Sequence, residues 1–395
     1  MIPKSYLHTI SCIALTLLTL CAFPTEAETQ KYTIVSEIYK ENRSFYVKLP
    51  RTYEAGTKNK YPVIYLLDDK RYIQHYFNIS DTLAEGGMTP EFILIGIEHS
   101  NRVLDLTPTV FQGREGTGGA DLLLQHIEHE LIPEIDKRFK TNGFKILAGH
   151  SLGGLFTLHT MQAKPDLFDA HFAFSPSLYW DGKTTVNSVI AFLKSKPIYH
   201  NFLYMNMGNE GLDDPYENSI AMRNGYMELV EYIDSEAPAK FRFVSHHLEQ
   251  EYHTSTGVIG PFYALRSLYR KFPLPTAKIK QGLDSIMKHF EELSLEVGIE
   301  INATQGMMFN AGMYHLWADE DLKKGIEILE YNISQNPNSD MSHDGLAQLY
   351  QASGQLDQAL KHCNHSLQHS DSESSNYQSY TQRCDNIKNK LSESN

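Results

Sequence analysis

From about residue 28 to residue 273, short apolar runs alternate with longer stretches in which apolar residues recur every three or four positions. Tyr32 to Tyr39 and Arg43 to Leu49 alternate like two opening strands, joined by the polar turn Lys40-Glu41-Asn42. Tyr61 to Leu67 and Glu91 to Ile97 are continuous apolar runs, as expected of strands covered on both faces. Ala120 to Phe139 carries Leu122, Leu123, His126, Ile127, Leu131 and Ile135 at helical spacing. There follow a strand at Phe144–Ala148, a helix at Leu155–Gln162 and a strand at Ala170–Phe174. A helix at Val186–Leu193, a strand at Phe202–Met207 and a helix at Ile220–Ile233 come next. The strand Phe241–Leu248 and the helix Val258–Tyr269 close the series. Such alternation predicts an α/β fold with a mostly parallel sheet, helices on both faces and ligands at the carboxyl ends of the strands.

Beyond Phe272-Pro273-Leu274-Pro275 the pattern turns wholly helical, first at Ile279–Leu295 and then as a repeat of about 34 residues. Residues 306–339 and 340–373 align as two copies. In the second, Leu346, Tyr350, Gly354, Leu356, Ala359 and Leu360 fall at the packing positions of a tetratricopeptide repeat. Gly312, Leu316, Leu322, Gly325, Ile326, Leu329 and Pro337 do so in the first, and Tyr377, Tyr380 and Cys384 begin a capping helix. Too few repeats are present to stack alone, so they are expected to pack on the preceding domain. The repeats suggest a protein partner. His362, His365 and His369 share one helix face but fall at outward repeat positions, which reads as a solvated face and not a metal site.

The N-terminus has the pattern of an export signal: Lys4, the apolar stretch Ile10 to Phe23, and Thr25-Glu26-Ala27 as a cleavage site. The apolar stretch is too short to span a bilayer. The expected organisation is a signal peptide at 1–27, an α/β domain at 28–275 and a helical domain at 276–395, in a periplasmic or secreted protein with no membrane span. Cys12 and Cys21 leave with the signal, so only Cys363 and Cys384 remain. They fall at inward positions of neighbouring helices, either as small core residues or, as the exported compartment allows, as a disulfide. The net charge of −13 argues against nucleic acid.

The candidate chemistry centres on Gly149-His150-Ser151-Leu152-Gly153-Gly154, which sits between a predicted strand and a predicted helix. G-x-S-x-G in that context is the nucleophile elbow of α/β-hydrolases, in which glycines let strand and helix close on a strained serine. Ser151 is then the nucleophile, and the Leu152 amide at the helix N-terminus faces the oxygen where negative charge develops. The expected chain order is Ser, then acid, then His. His253 stands in the loop after the last strand and is the candidate base, whereas His246 and His247 fall within the strand. The acid belongs after the preceding strand, where Glu210 is closest and Asp213 and Asp214 compete. The loop Asp68-Asp69-Lys70-Arg71 would supply a second oxyanion amide, from Asp69 or Lys70.

Residues 31–269 resemble the esterase family of α/β-hydrolases that includes esterase D, siderophore trilactone esterases and feruloyl esterases. The likeness is carried by Tyr61-Pro62-Val63-Ile64-Tyr65-Leu66-Leu67-Asp68, Arg102 with Asp105-Leu106-Thr107-Pro108, and Gly118-Gly119-Ala120-Asp121. It continues through Leu131-Ile132-Pro133, the elbow, Ser175-Pro176-Ser177 and Glu251-Tyr252-His253. The resemblance implies a serine esterase with Ser151 as nucleophile and His253 as base. Asp69 replaces a glycine common among relatives, and some siderophore-esterase relatives work with a Ser-His pair. Arg102 and Arg114 are placed to hold an anionic group of the substrate, or to pair with Asp105 or Asp121. Tyr179 and Trp180 are candidates for an aromatic pocket wall, or for the core.

The expected function is therefore hydrolysis of a small-molecule ester, such as a siderophore or carbohydrate ester, through an acyl-enzyme and without a cofactor. Acyl transfer to an alcohol uses the same residues. An inactive hydrolase fold acting as a scaffold is the alternative outside enzymes.

Overall fold

A computed structural model of the chain describes residues 29–53, 59–67, 69–111, 114–213, 216–297, 300–318 and 321–394. The expected signal peptide and Asp68 lie outside the described residues. Eight strands form one sheet: β1 (Gln30–Ser36), β2 (Glu41–Lys48), β3 (Tyr61–Leu66), β4 (Ile93–Ile97), β5 (Thr141–His150), β6 (Ala170–Phe174), β7 (Ile198–Met207) and β8 (Ala239–His247). Their order is β1-β2-β4-β3-β5-β6-β7-β8. The opening hairpin is antiparallel and β2 meets β4 antiparallel, while every later pairing is parallel.

The continuous apolar runs are explained by two-sided burial. Ile64 and Leu66 of β3 enter one core while Val63 and Tyr65 enter the other, as the two-residue period of a strand requires. Helices α1 (Asp69–Glu85) and α8 (His253–Leu268) cover the first face. Between β4 and β5 lie the short α2 (Arg102–Leu106), then α3 (Ala120–His126) and α4 (Ile132–Arg138), joined by a π-helical turn at Ile127–Leu131. These two, with α5 (Leu152–Ala163), α6 (Thr184–Lys194) and α7 (Glu217–Glu236), cover the second face.

Two elements differ from the sequence expectation. The segment after β3 is a 17-residue helix, α1, that starts at Asp69; Asp69 and Lys70 therefore open a helix and are not part of a longer loop. Its buried residues Ile73, Tyr76, Phe77, Ser80 and Leu83 follow helical spacing, but aromatic and polar residues dilute the apolar signal. His253 is the first residue of α8, which starts five residues before the expected helix.

The helical part contains α9 (Thr276–Gln281), α10 (Leu283–Val297), α11 (Gln305–Trp317), α12 (Leu322–Gln335), α13 (Asp340–Ala352), α14 (Leu356–His369) and α15 (Ser375–Ser394). Helices α11 and α13 start 35 residues apart, at Gln305 and Asp340, and α12 and α14 start 34 apart, at Leu322 and Leu356. The core does not break at Pro275. Ile286, Phe290, Met308 and Ala311 join the same cluster as Leu268, Tyr269 and Phe272, with Phe290 edge-on to Phe272 at 5.6 Å. A second cluster around Leu346, Leu349 and Ala359 holds the last helices together, and a disulfide joins Cys363 of α14 to Cys384 of α15.

Two histidines of α14, His362 and His365, depart from the expectation of a solvated face, while His369 is exposed. His362 is buried, stacked on Tyr350 at 5.5 Å, with its Nδ1 3.0 Å from that of His343. The His343 ring also stacks on His365 at 4.9 Å. The start of α13 covers this face, which a repeat pattern read one copy at a time does not reveal. Among the described residues no group of three or more His, Cys, Asp or Glu is placed to hold a metal ion, and no helix is long and apolar enough to cross a membrane.

Candidate active site

Strand β5 ends at His150 and α5 begins at Leu152, so Ser151 alone makes the turn, at φ 59° and ψ −115°. That backbone is strained for a residue with a side chain, and it persists only where the surroundings enforce it. Glycine makes the closeness possible: a Cβ on Gly149 would lie 2.5 Å from the carbonyl carbon of Gly153. The Ser151 amide donates to the Phe174 carbonyl at 2.9 Å, tying the elbow to β6. As the first residue of α5, Leu152 has no intrahelical acceptor for its amide, and the helix dipole makes this end favourable to negative charge.

The parallel order β5-β6-β7-β8 brings the carboxyl ends of four strands together, and the loops that leave them converge on Ser151. His253 Nε2 lies 3.0 Å from Ser151 Oγ, and its Nδ1 lies 2.7 Å from Glu210 Oε1. The His253 side chain keeps 37% of its surface exposed while that of Glu210 keeps 6%, so the imidazole is reachable and the carboxylate is enclosed. Burial raises the Glu210 pKa, but the hydrogen bond from His253, with the Ser175 hydroxyl and its own backbone amide nearby, outweighs it. The carboxyl group is held below its usual range and is ionised at neutral pH.

The other acids have different positions. Asp213 is exposed and accepts a hydrogen bond from Asn209 Nδ2 at 3.2 Å, and Asp214 lies outside the described residues. His246 Nδ1 is 3.0 Å from the Tyr204 hydroxyl, and His247 Nε2 is 2.6 Å from Arg223 Nη1; these partners engage both away from the serine.

Several residues at the site had no assigned role in the sequence reading. Ser177 is buried, its amide donates to the Ser151 carbonyl at 3.1 Å, and its hydroxyl lies 3.1 Å from Ser151 Oγ. Ser175 has a positive φ of 36°, and its amide donates to the Asn206 carbonyl at 3.0 Å. Thr256 Oγ1 lies 2.8 Å from Ser175 Oγ and 2.7 Å from the His253 carbonyl, which also accepts from His150 Nε2 at 2.6 Å. The available signal was the Ser175-Pro176-Ser177 motif at the end of the strand beside the elbow.

Arg102 is half-buried, and its Nη2 donates to the His150 carbonyl at 2.9 Å, bracing the residue before Ser151. Asp105, its expected alternative partner, is buried with Arg43 at 2.8 Å and His99 Nδ1 at 3.0 Å. Asp121 accepts from His159 at 2.8 Å. His99 Nε2 reaches the Leu67 carbonyl at 2.9 Å, so the Arg43–Asp105–His99 group anchors the chain just before α1. The exposed Arg114 lies over the Phe111 ring. Trp180 is only 2% exposed, 5.1 Å from Phe111, and belongs to the core; Tyr179 beside it is half-buried.

A sequence model described as "Putative esterase" matches residues 36–254. A siderophore triacetylfusarinine C esterase of Aspergillus fumigatus is 36% identical over 102 residues, 25% of this chain and 35% of that protein. The ferri-bacillibactin esterase BesA of Bacillus subtilis is 31% identical over 165 residues, 36% of this chain and 56% of that one. The matches thus span between a third and just over half of these relatives. Among solved structures, an IroE-like serine hydrolase from Shewanella oneidensis superposes with a TM-score of 0.69 at 27% identity, over 77% of this chain and 98% of that one. An uncharacterised protein from Capnocytophaga ochracea shares the fold over 91% of this chain and 99% of its own, at TM-score 0.56 and 15% identity.

Proposed function

The chain belongs to this esterase family, and from that premise we propose that it is a carboxylic ester hydrolase working through an acyl-enzyme on Ser151. The observation that carries the reading is the unbroken line from Ser151 Oγ through His253 to Glu210, at 3.0 Å and 2.7 Å, mounted on a strained elbow. His253 Nε2 takes the hydroxyl proton as Ser151 Oγ attacks the ester carbonyl carbon. The tetrahedral oxyanion is met by the Leu152 amide and by an amide of Asp69 or Lys70 at the start of α1. Collapse breaks the bond to the alcohol oxygen, which takes the proton from His253. Water, deprotonated by the same imidazole, then attacks the acyl carbon and releases the acid and free Ser151. Glu210, ionised and enclosed, keeps the ring in the working tautomer and stabilises the imidazolium that forms at each step.

The substrate class we favour is a siderophore ester, because two relatives with matching stretches are named as siderophore esterases. Arg102 and Tyr179 are the remaining candidates for contact with it. The N-terminal pattern of residues 1–27 and the Cys363–Cys384 disulfide support export to an oxidising compartment.

The test is turnover of p-nitrophenyl butyrate by the protein from residue 28 onward, beside Ser151→Ala, with labelling by a fluorophosphonate. Turnover and labelling that both vanish in Ser151→Ala support the mechanism, and their absence from the parent protein refutes it. A cyclic catecholate triester compared with a feruloyl sugar ester then decides the substrate class, faster cleavage of the sugar ester refuting the siderophore assignment.

A further inference from the structure

Strand β8 sends alternate side chains to opposite faces of the sheet. Val244 packs against the core under α8, and Arg242, two residues earlier, falls in the same row. An arginine there occupies a packing position. Its guanidinium lies over the Phe202 ring, 5.2 Å from the centroid, and among the described residues it has no hydrogen bond or ion pair. Burial pushes this guanidinium below its usual range; Glu296 and Tyr269 oppose the shift at a distance and Arg270 adds to it. A half-buried cation without an acceptor loses part of its hydration, and an anion that reached it would recover that cost.

A cavity of about 210 Å³ opens at this point, between β8, the end of α8 and α10. Arg242, Arg270, Lys271 and Ser267 supply its polar lining, and Phe202 and Leu293 an apolar wall. The carboxylate in it, Glu296, is already paired with Lys271 at 2.5 Å. Arg270 is exposed and, like Arg242, has no hydrogen bond or ion pair among the described residues. The balance in the cavity is therefore cationic, with two planar forks of donors facing a partly apolar space. The volume lies below that of most drug-sized pockets, which limits the occupant to a small molecule.

We propose that this cavity binds a small organic carboxylate, its oxygens received by Arg242 and Arg270 and its apolar body laid against Phe202 and Leu293. The site is separate from the esterase centre. Arg242 pairs in register with Phe202, which pairs with Ala170, the first residue of β6. Arg242 is thus level with the amino end of β6 and the middle of β7 and β8, roughly 17 Å along β7 from the carboxyl end where Ser151 is served. A bound carboxylate would tie the edge strand to α10 without competing with substrate. Inorganic phosphate would satisfy the guanidinium groups but leave the apolar wall without contact.

The test is thermal unfolding in sodium benzoate, sodium phosphate and sodium chloride at matched ionic strength. The parent, Ser151→Ala, Arg242→Gln and Arg270→Gln proteins are compared. Benzoate at ten times its dissociation constant is expected to raise Tm by about 2 °C in the parent and in Ser151→Ala. Both arginine variants are expected to lose at least half of that rise. Arg270→Gln, at an exposed position, keeps the test open if Arg242→Gln fails to fold. The proposal is overturned if benzoate does no more than chloride, if phosphate matches or exceeds benzoate, or if the folded arginine variants keep the full rise. A rise lost in Ser151→Ala would place the binding at the ester site instead and also overturn it.

Discussion

Replacing Glu210 by glutamine asks whether the carboxylate contributes to the proposed chemistry or only fills space. Glutamine keeps the shape, so the Nδ1 contact at 2.7 Å retains a partner while the negative charge is lost. The charge matters when His253 becomes an imidazolium in each transition state. With charge centres about 4 Å apart and an effective dielectric of about 20, carboxylate and imidazolium attract by about 4 kcal/mol. The carboxylate is 6% exposed, so solvent screening removes little of this. At 1.36 kcal/mol per decade, the expected loss in kcat is about a thousandfold. Because the substrate does not meet Glu210, KM should change less than threefold. The assay is steady-state hydrolysis of p-nitrophenyl butyrate at pH 7.5, with circular dichroism to verify folding. A loss below tenfold in a folded Glu210→Gln protein would refute the reasoning and leave Ser151 and His253 working as a pair.

Three other expectations concern the scaffold. Gly149→Ala places a Cβ 2.5 Å from the Gly153 carbonyl carbon and should cost about 1–3 kcal/mol together with most activity, whereas Gly306→Ala, with open space around it, should be neutral or stabilising by up to about 1 kcal/mol; Tm and turnover measure both. His171 is fully buried with a pKa lowered from 6.5 to about 4 by burial, the Asn201 hydrogen bond opposing. Between those values the unfolded chain takes up the proton and the folded protein does not, so about 3 kcal/mol of stability is lost as pH falls from 6.5 to 4, being fully present above 6.5. Urea denaturation across that range should show this loss flattened in His171→Gln, and an unchanged slope would refute it. Cys363 and Cys384 close a loop of 21 residues, so reduction should cost about 3 kcal/mol by the chain-entropy account, read as a lower Tm with esterase activity at 25 °C retained.

Much of the site is legible in the sequence because its signals are local. The elbow is announced by glycines on either side of Ser151, whose missing side chains are needed within a single turn. Fully buried strands such as Tyr61–Leu66 announce themselves by unbroken apolarity. His253 and Glu210 are named by chain order and strand ends, which are local rules applied to a topology. Helix α1 is not legible in the sequence because Tyr72, His75, Tyr76 and Asn78 mix aromatic and polar residues, leaving a weak periodic signal. The burial of His362 is not legible either, because its cover, His343 and Tyr350, comes from the neighbouring helix.

By itself, then, the sequence determined the α/β class, the strained seat of Ser151 and the order of the candidate catalytic residues. Each of these follows from backbone conformation and burial within a few residues. The tertiary structure alone decided which of Glu210 and Asp213 meets His253, that Ser177 lies beside Ser151, that Trp180 belongs to the core, and that Arg242 faces a cavity between sheet and helices. These depend on groups separated by tens to hundreds of residues. Their encounter is set by strand order and helix packing, which no local pattern encodes.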